Sequence, residues 1–205
     1  MQESKPKSSA LARIAGILPF QKRHILLKTF IESQFSYCPL IWMFCSGAMN
    51  KKINRIHERA LRIVYRDYES SFEELLNMDK SLTFHHRNIQ QVALEMFKVK
   101  NDLTPPFMKD LFTEVGRESH LGGGFRRPNI NSVKKGCRSL RSFGPIVWNS
   151  MLPEKYKLIK SLDEFKIAIK TWKPANCPCE LCNPIIPGVG RIKHCLSSNS
   201  EFYYY

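Results

Sequence analysis

Lys52, Arg55, Arg59, Arg62 and Arg66 recur at intervals of three and four residues within KKINRIHERALRIVYRDY, residues 51–68. On a helix this spacing stacks the five cations in one row, about 21 Å long at about 1.5 Å per residue. Guanidinium and ammonium groups in such a line can follow the phosphates of a nucleic acid and release its counterions on binding. A solvated helix face carries the same pattern, so spacing alone leaves both uses open. Lys51 adjoins the row, and two further basic runs, Arg126-Arg127 and Lys134-Lys135 with Arg138 and Arg141, add candidates for phosphate contact.

A second constellation is Cys177-Pro-Cys179-Glu-Leu-Cys182, followed by His194-Cys195. Deprotonated thiols at this spacing can converge on a tetrahedral zinc ion, with His194 or Cys195 completing four ligands. The spacing is not that of a standard finger, and the same thiols can stay reduced without metal.

Other groups point away from catalysis. His85 and His86 open a helix with no carboxylate or thiol indicated nearby, which suits packing better than acid–base work. Gly122-Gly123-Gly124 lacks the Lys-Ser/Thr of a phosphate-binding loop, and no HExxH or GxSxG motif occurs. Trp42, Trp148 and Trp172 sit on apolar faces as core anchors.

The elements that must position these residues follow from composition and periodicity. The 205-residue chain is 43% hydrophobic and 24% charged, enough to bury a sizeable core. Its net charge of +14 exceeds what solubility needs and favours a polyanionic partner. Residues 1–66 and 121–205 each carry +9, whereas 67–120 carry −4. No secretion signal or apolar run long enough for a membrane span is visible, so an intracellular chain without membrane contact is expected, its seven cysteines reduced or metal-bound.

Residues 20–36 read as an amphipathic helix with Ile25, Leu26, Thr29, Phe30 and Phe35 inward and Lys22, Arg23 and Lys28 outward. Gly47 opens the helix bearing the basic row. There Ile53, Ile56, Ala60, Ile63 and Val64 form an apolar arc expected to lie beside the cations, holding them at the rim of a groove. Ser70-Ser71-Phe72-Glu73-Glu74 has the form of a capped helix start, and residues 84–101 form a long helix with Ile89, Val92, Ala93, Met96, Phe97 and Lys100 on one side. After Ser119, glycine and proline punctuate short extended pieces, and RRPNINSVKKGCRS is expected to give a strand or two. SFGPIVWNSMLPEKYK reads as a turn, a short helix and a stop at Pro153. The last helix, SLDEFKIAIKTW, takes Ser161 as its N-cap. The segments are therefore a lead-in (1–19), a helical region (20–118), a turn-rich piece with a helix (119–173) and a Cys-rich tail (174–205).

Five phrases carry a family resemblance: FIESQFSYCPLIWMFCS, NKKINRIHERALRIVYRDYESSFEELL, HHRNIQQVALEMFKVKNDLTPPFM, SLRSFGPIVWNSMLP and SLDEFKIAIKTWKPANCPCELC. In this order they resemble the C-terminal region of non-LTR (long interspersed, jockey-like) retrotransposon reverse transcriptases, from about Leu11 to Val189. The resemblance implies a thumb up to about Tyr68, then a connection ending in a cysteine-rich tail. It further implies an RNA-directed DNA polymerase whose palm aspartates hold two Mg²⁺. No Asp-Asp pair occurs in this sequence, so the palm and fingers would be missing partners and no activity is expected of the chain alone. The fold implied is mainly α, a helical thumb-like bundle with a short extended segment and a Cys-rich tail. The function implied is a backbone grip on template-primer RNA, DNA or their hybrid. A helical protein-interaction module without nucleic-acid binding is the alternative.

Overall fold

A computed structural model describes residues 11–116, 124–129 and 138–174. Over these described residues the chain is mainly helical, with a two-stranded antiparallel sheet. It divides into two compact units between Asn88 and Ile89, inside a single continuous helix.

In the first unit, α1 (residues 11–15) precedes α2, which starts at Phe20–Leu26, widens to a π-helix over Leu27–Glu32 and finishes at Ser33–Ser36. The buried side chains of α2 are Arg23, Leu27, Ile31, Glu32 and Phe35, whereas Ile25, Thr29 and Phe30 are exposed. This corrects the inner face read from the sequence. Residues four apart drift by about 40° per step on an α-helix. The wider π turn offsets that drift and keeps Leu27, Ile31 and Phe35 in one line. Arg23 goes inside because two backbone carbonyls receive it: its Nε donates to Val64 O at 2.9 Å and its Nη1 to Leu18 O at 2.8 Å.

A short helix, α3 (Pro39–Met43), follows Cys38, whose φ of 52° is left-handed. The long helix α4 (Gly47–Tyr65) begins at Ser46, whose hydroxyl accepts the Met49 N–H, and ends where Arg66 turns left-handed at φ 56°. Its inner face buries Ile53, Ile56, His57, Ala60, Leu61, Ile63 and Val64. Most of these join Leu27, Ile31, Phe35, Leu75, Leu76 and Phe84 in one core, while Ile63 packs with Leu11, Ala15 and Leu26. The lead-in residues 11–15 are therefore part of the packed body. Helix α5 (Phe72–Met78) has the expected capped start, and the cap takes the form of a capping box: Glu74 accepts the Ser71 N–H at 2.7 Å, and Ser71 accepts the Glu74 N–H at 3.3 Å.

Helix α6 (Phe84–Lys100) spans the division. In the second unit its Phe97 stacks on Phe165 of the last helix at 4.2 Å. The short α7 (Pro106–Lys109) leads to β1 (Thr113–Glu114), which pairs antiparallel with β2 (Phe125–Arg126), Thr113 opposite Arg126. The pair is held from the far side by Asn149, whose side-chain oxygen accepts the Phe125 N–H at 3.0 Å while its amide donates to Phe125 O at 2.7 Å. The sheet thus uses Thr113–Glu114, ahead of the stretch where strands were expected; residues 130–137 lie outside the described residues.

Helix α8 (Leu140–Ile146) starts at Ser139 and runs through Gly144-Pro145, where the sequence suggested a turn. Pro145 supplies no N–H to the helix ladder, and the backbone widens to a π-helix over Val147–Met151. At Gly144 a Cβ would meet the Met96 sulfur well inside van der Waals contact, so any larger residue there would make the Met96 side chain shift. Helices α9 (Glu154–Lys157) and α10 (Leu162–Thr171) close the unit, with Phe165, Ile169 and Trp172 buried. Ser161 has extended N-cap dihedrals, but its hydroxyl makes no capping bond.

Candidate nucleic-acid interface

The arrangement of the basic row follows from how α4 docks. At about 100° per residue, its buried side chains cover about 160° of the helix, from Ile63 round to Leu61. Lys51, Lys52, Arg55, Arg59 and Arg62 cover about 100°, centred roughly opposite. The sequence arc omitted His57 and Leu61, which widen the buried face and push its centre away from the cations. The row is thus an outward crest of the first unit rather than the rim of a groove.

Along this crest Lys51, Lys52, Arg55 and Arg59 are exposed and make no ion pair or side-chain hydrogen bond among the described residues. Desolvation and internal competition are both small for such groups, so they remain available to an external anion.

The other two members of the row are engaged. Arg62 is half-buried, and its Nη2 donates to Glu58 Oε1 at 2.8 Å, one turn earlier on the same helix. Asp67 also feels Arg62: its carboxyl lies below the usual range, chiefly through hydrogen bonds from Ser70, with the Arg62 charge adding to them. Arg66 has left the helix, and its Nη2 donates to Ala15 O and Gly16 O, both at 3.1 Å. These carbonyls close α1, where a cation complements the negative helix end. Arg23 does the same for α4 through Val64 O. The five-membered row of the sequence therefore reduces to a free segment, Lys52–Arg59, and an occupied end.

The second basic group belongs to the other compact unit. Arg126 is exposed on β2, with its neighbour Arg127 half-buried, and Arg138 and Arg141 are exposed at the start of α8. Lys134 and Lys135 lie outside the described residues, as do Cys177, Cys179, Cys182, His194 and Cys195. Among the described residues no group of three His, Cys, Asp or Glu side chains is arranged to hold a metal ion. None of the described helices is long and apolar enough to cross a membrane.

Behind the crest lies a buried charge group that sequence patterns did not reveal. Arg87 grips Glu32 with both terminal nitrogens, at 2.8 and 3.0 Å. His57, fully buried on the inner face of α4, lies 3.7 Å from the same carboxylate, too far for a hydrogen bond. Its ring packs on Phe84 at 4.3 Å and meets Phe72 edge-on at 5.6 Å. Burial pushes the Glu32 pKa up, but His57 and Arg87 outweigh it and bring the value from 4.5 to about 2. Burial lowers the His57 pKa from 6.5, Glu32 opposing and Arg87 assisting the change. The only sequence hint was a histidine inside an apolar arc. Glu58, by contrast, stands four residues before Arg62, a spacing that could have revealed the pair although the sequence reading did not use it. Comparison of the chain with protein-family models, curated proteins and solved structures finds no match.

Proposed function

We propose that the chain grips nucleic acid through backbone phosphates, using the crest of α4 as the thumb of a non-LTR retrotransposon reverse transcriptase would. The observation that carries this is the exposure of Lys52, Arg55 and Arg59, without ion-pair or side-chain hydrogen-bond partners among the described residues, on a helix whose opposite face is anchored in a core. Steps of three and four residues advance about 4.5 and 6 Å along the helix, so three cations reach neighbouring phosphates of one strand. The surplus of positive charge supports the same partner class, RNA, DNA or their hybrid. The resemblance of the five sequence phrases supports assigning the chain to the thumb and connection of that enzyme family, with palm and fingers as its partners. No catalytic step is assigned to it.

The deciding experiment is charge reversal, Arg55→Glu with Arg59→Glu, read as retention of a labelled oligonucleotide at fixed low salt. Loss of binding with an unchanged circular dichroism spectrum is expected; unchanged retention contradicts the grip. A helical protein-interaction module is the second reading, favoured by exposed apolar side chains such as Ile17, Tyr37 and Ile41. Under that reading, reversing Arg55, Arg59 and Arg62 leaves nucleic-acid retention as it was.

A further inference from the structure

The occupied end of the basic row adjoins an aromatic group that charge patterns do not explain. Tyr65, the last residue of α4, stands three residues after Arg62, which stands three after Arg59, so neighbouring side chains in this series start about 5–6 Å apart. Phe20 meets the Tyr65 ring edge-on, with centroids at 5.3 Å, and stacks nearly parallel on His24 at 5.8 Å and 10°. Both supporting rings are fixed by one carboxylate. Asp79 Oδ1 accepts from His24 Nε2 at 2.8 Å and from the Tyr65 hydroxyl at 3.0 Å, and the Asp79 side chain is only 3% exposed. Burial, and then Asp79, push the Tyr65 pKa up from 10, so the phenol stays a neutral donor.

Phe20 itself remains 41% exposed. Phe30, Tyr37, Tyr68 and Phe107 are exposed too, but among the described residues none of them makes a ring contact. Phe20 alone in this set is held by two rings that are themselves tied to a buried anion. A ring fixed before binding loses little conformational entropy when a second flat surface covers it. Every nucleobase offers such a surface, and a positively charged track leading to an aromatic platform is the combination that single-stranded binding uses.

We infer that Phe20 is a stacking platform for an unpaired nucleobase at the end of the α4 crest, so that the partner is a single-stranded nucleic acid. This rests on the phosphate grip proposed above and adds what the crest cannot supply, a preference for strands whose bases are free.

The test measures binding of the intact chain to four probes of equal length: oligothymidylate, oligouridylate, a duplex, and an abasic deoxyribose-phosphate strand. Phe20→Leu keeps an apolar side chain on Tyr65 but removes the flat ring. It is expected to weaken binding of the two base-bearing strands about tenfold and to leave the abasic strand and the duplex unchanged. Phe20→Trp is expected to keep the affinity and add emission that base-bearing strands quench and the abasic strand does not. Equal loss on base-bearing and abasic strands, no loss on any probe, or an unquenched tryptophan overturns the inference. Arg55→Ala with Arg59→Ala separates the two proposals, because it weakens all four probes if the grip is right. If that pair changes nothing, the grip fails and the inference falls with it, whereas a loss there without a Phe20 effect refutes the platform alone. A response to oligouridylate but not oligothymidylate, or the reverse, supports the platform and assigns it to RNA or to DNA.

Discussion

The outer crest of α4 and its inner face and C-terminal end carry the same kinds of cation to different ends. On the crest, Lys52, Arg55 and Arg59 are exposed and have no ion pair or side-chain hydrogen bond among the described residues. Within and beyond the helix, Arg23 and Arg66 cap helix ends, Arg62 pairs with Glu58, and Arg87 holds Glu32 beside His57. Spacing does not separate these roles. What decides is whether a carbonyl or carboxylate lies within reach once the chain has folded. A guanidinium is free for a phosphate only where the fold offers it nothing.

The comparison is broken most forcefully by exchanging the two sets. Arg55→Glu with Arg59→Glu should lower nucleic-acid affinity by roughly tenfold or more at low salt, since contacts to the phosphate backbone dominate such binding, while the thermal midpoint stays unchanged. If the midpoint falls instead, the crest is structural. On the inner side, acidification tests the Glu32 group. The folded pKa of Glu32 is about 2 against 4.5 unfolded. Its contribution, about 3 kcal/mol at 1.36 kcal/mol per pH unit, is present above pH 4.5 and lost as pH falls towards 2. His57 acts in the same direction from a higher start. Its folded pKa is depressed below 6.5, so the unfolded chain takes up a proton first and stability begins to fall below about pH 6.5. Denaturant titrations across pH 3–7 should show both phases in the native chain, and His57→Gln should remove the upper one. Parallel profiles for the two proteins would contradict this account.

Arg23→Ala and Arg66→Ala sharpen the contrast at the C-terminal end. Each removes a charged donor from two backbone carbonyls, so a loss of about 2 kcal/mol is expected for the buried Arg23 and less for Arg66. Oligonucleotide affinity measured well below the melting temperature should not change for either variant. The smallest effect belongs to Glu58→Gln. An i,i+4 pair contributes about 0.3–0.5 kcal/mol, so stability should hardly move. The freed Arg62 can then join the crest, steepening the salt dependence of binding by up to about one contact.

Much of this was legible beforehand where local signals agree. Gly47 as the start of the basic helix, the capped start of α5 and the burial of Ile89, Val92, Ala93, Met96 and Phe97 in α6 follow from spacing and capping chemistry within one element, whereas Lys100, read on the same side, is half-buried and pairs with Glu114. The inner face of α2 was misread because a π turn changes the period on which that reading depends. The crest was misplaced as a rim because His57 was not counted as apolar, although Phe72 and Phe84 enclose it. Contacts such as His24 with Asp79, 55 residues apart, leave no periodic trace at all. Arg62 is a different case: Glu58 lies four residues before it, a local signal that was present but not used.

The most direct measurement is the slope of log affinity against log salt, compared between the native chain and a Lys52→Ala, Arg55→Ala, Arg59→Ala variant. Three phosphate contacts on the crest predict a difference of about 2 to 3 in that slope, at about 0.7 per contact for a single strand and 0.9 for a duplex. Identical slopes would show that these side chains touch no phosphate, and the assignment of the α4 crest to nucleic acid would be wrong.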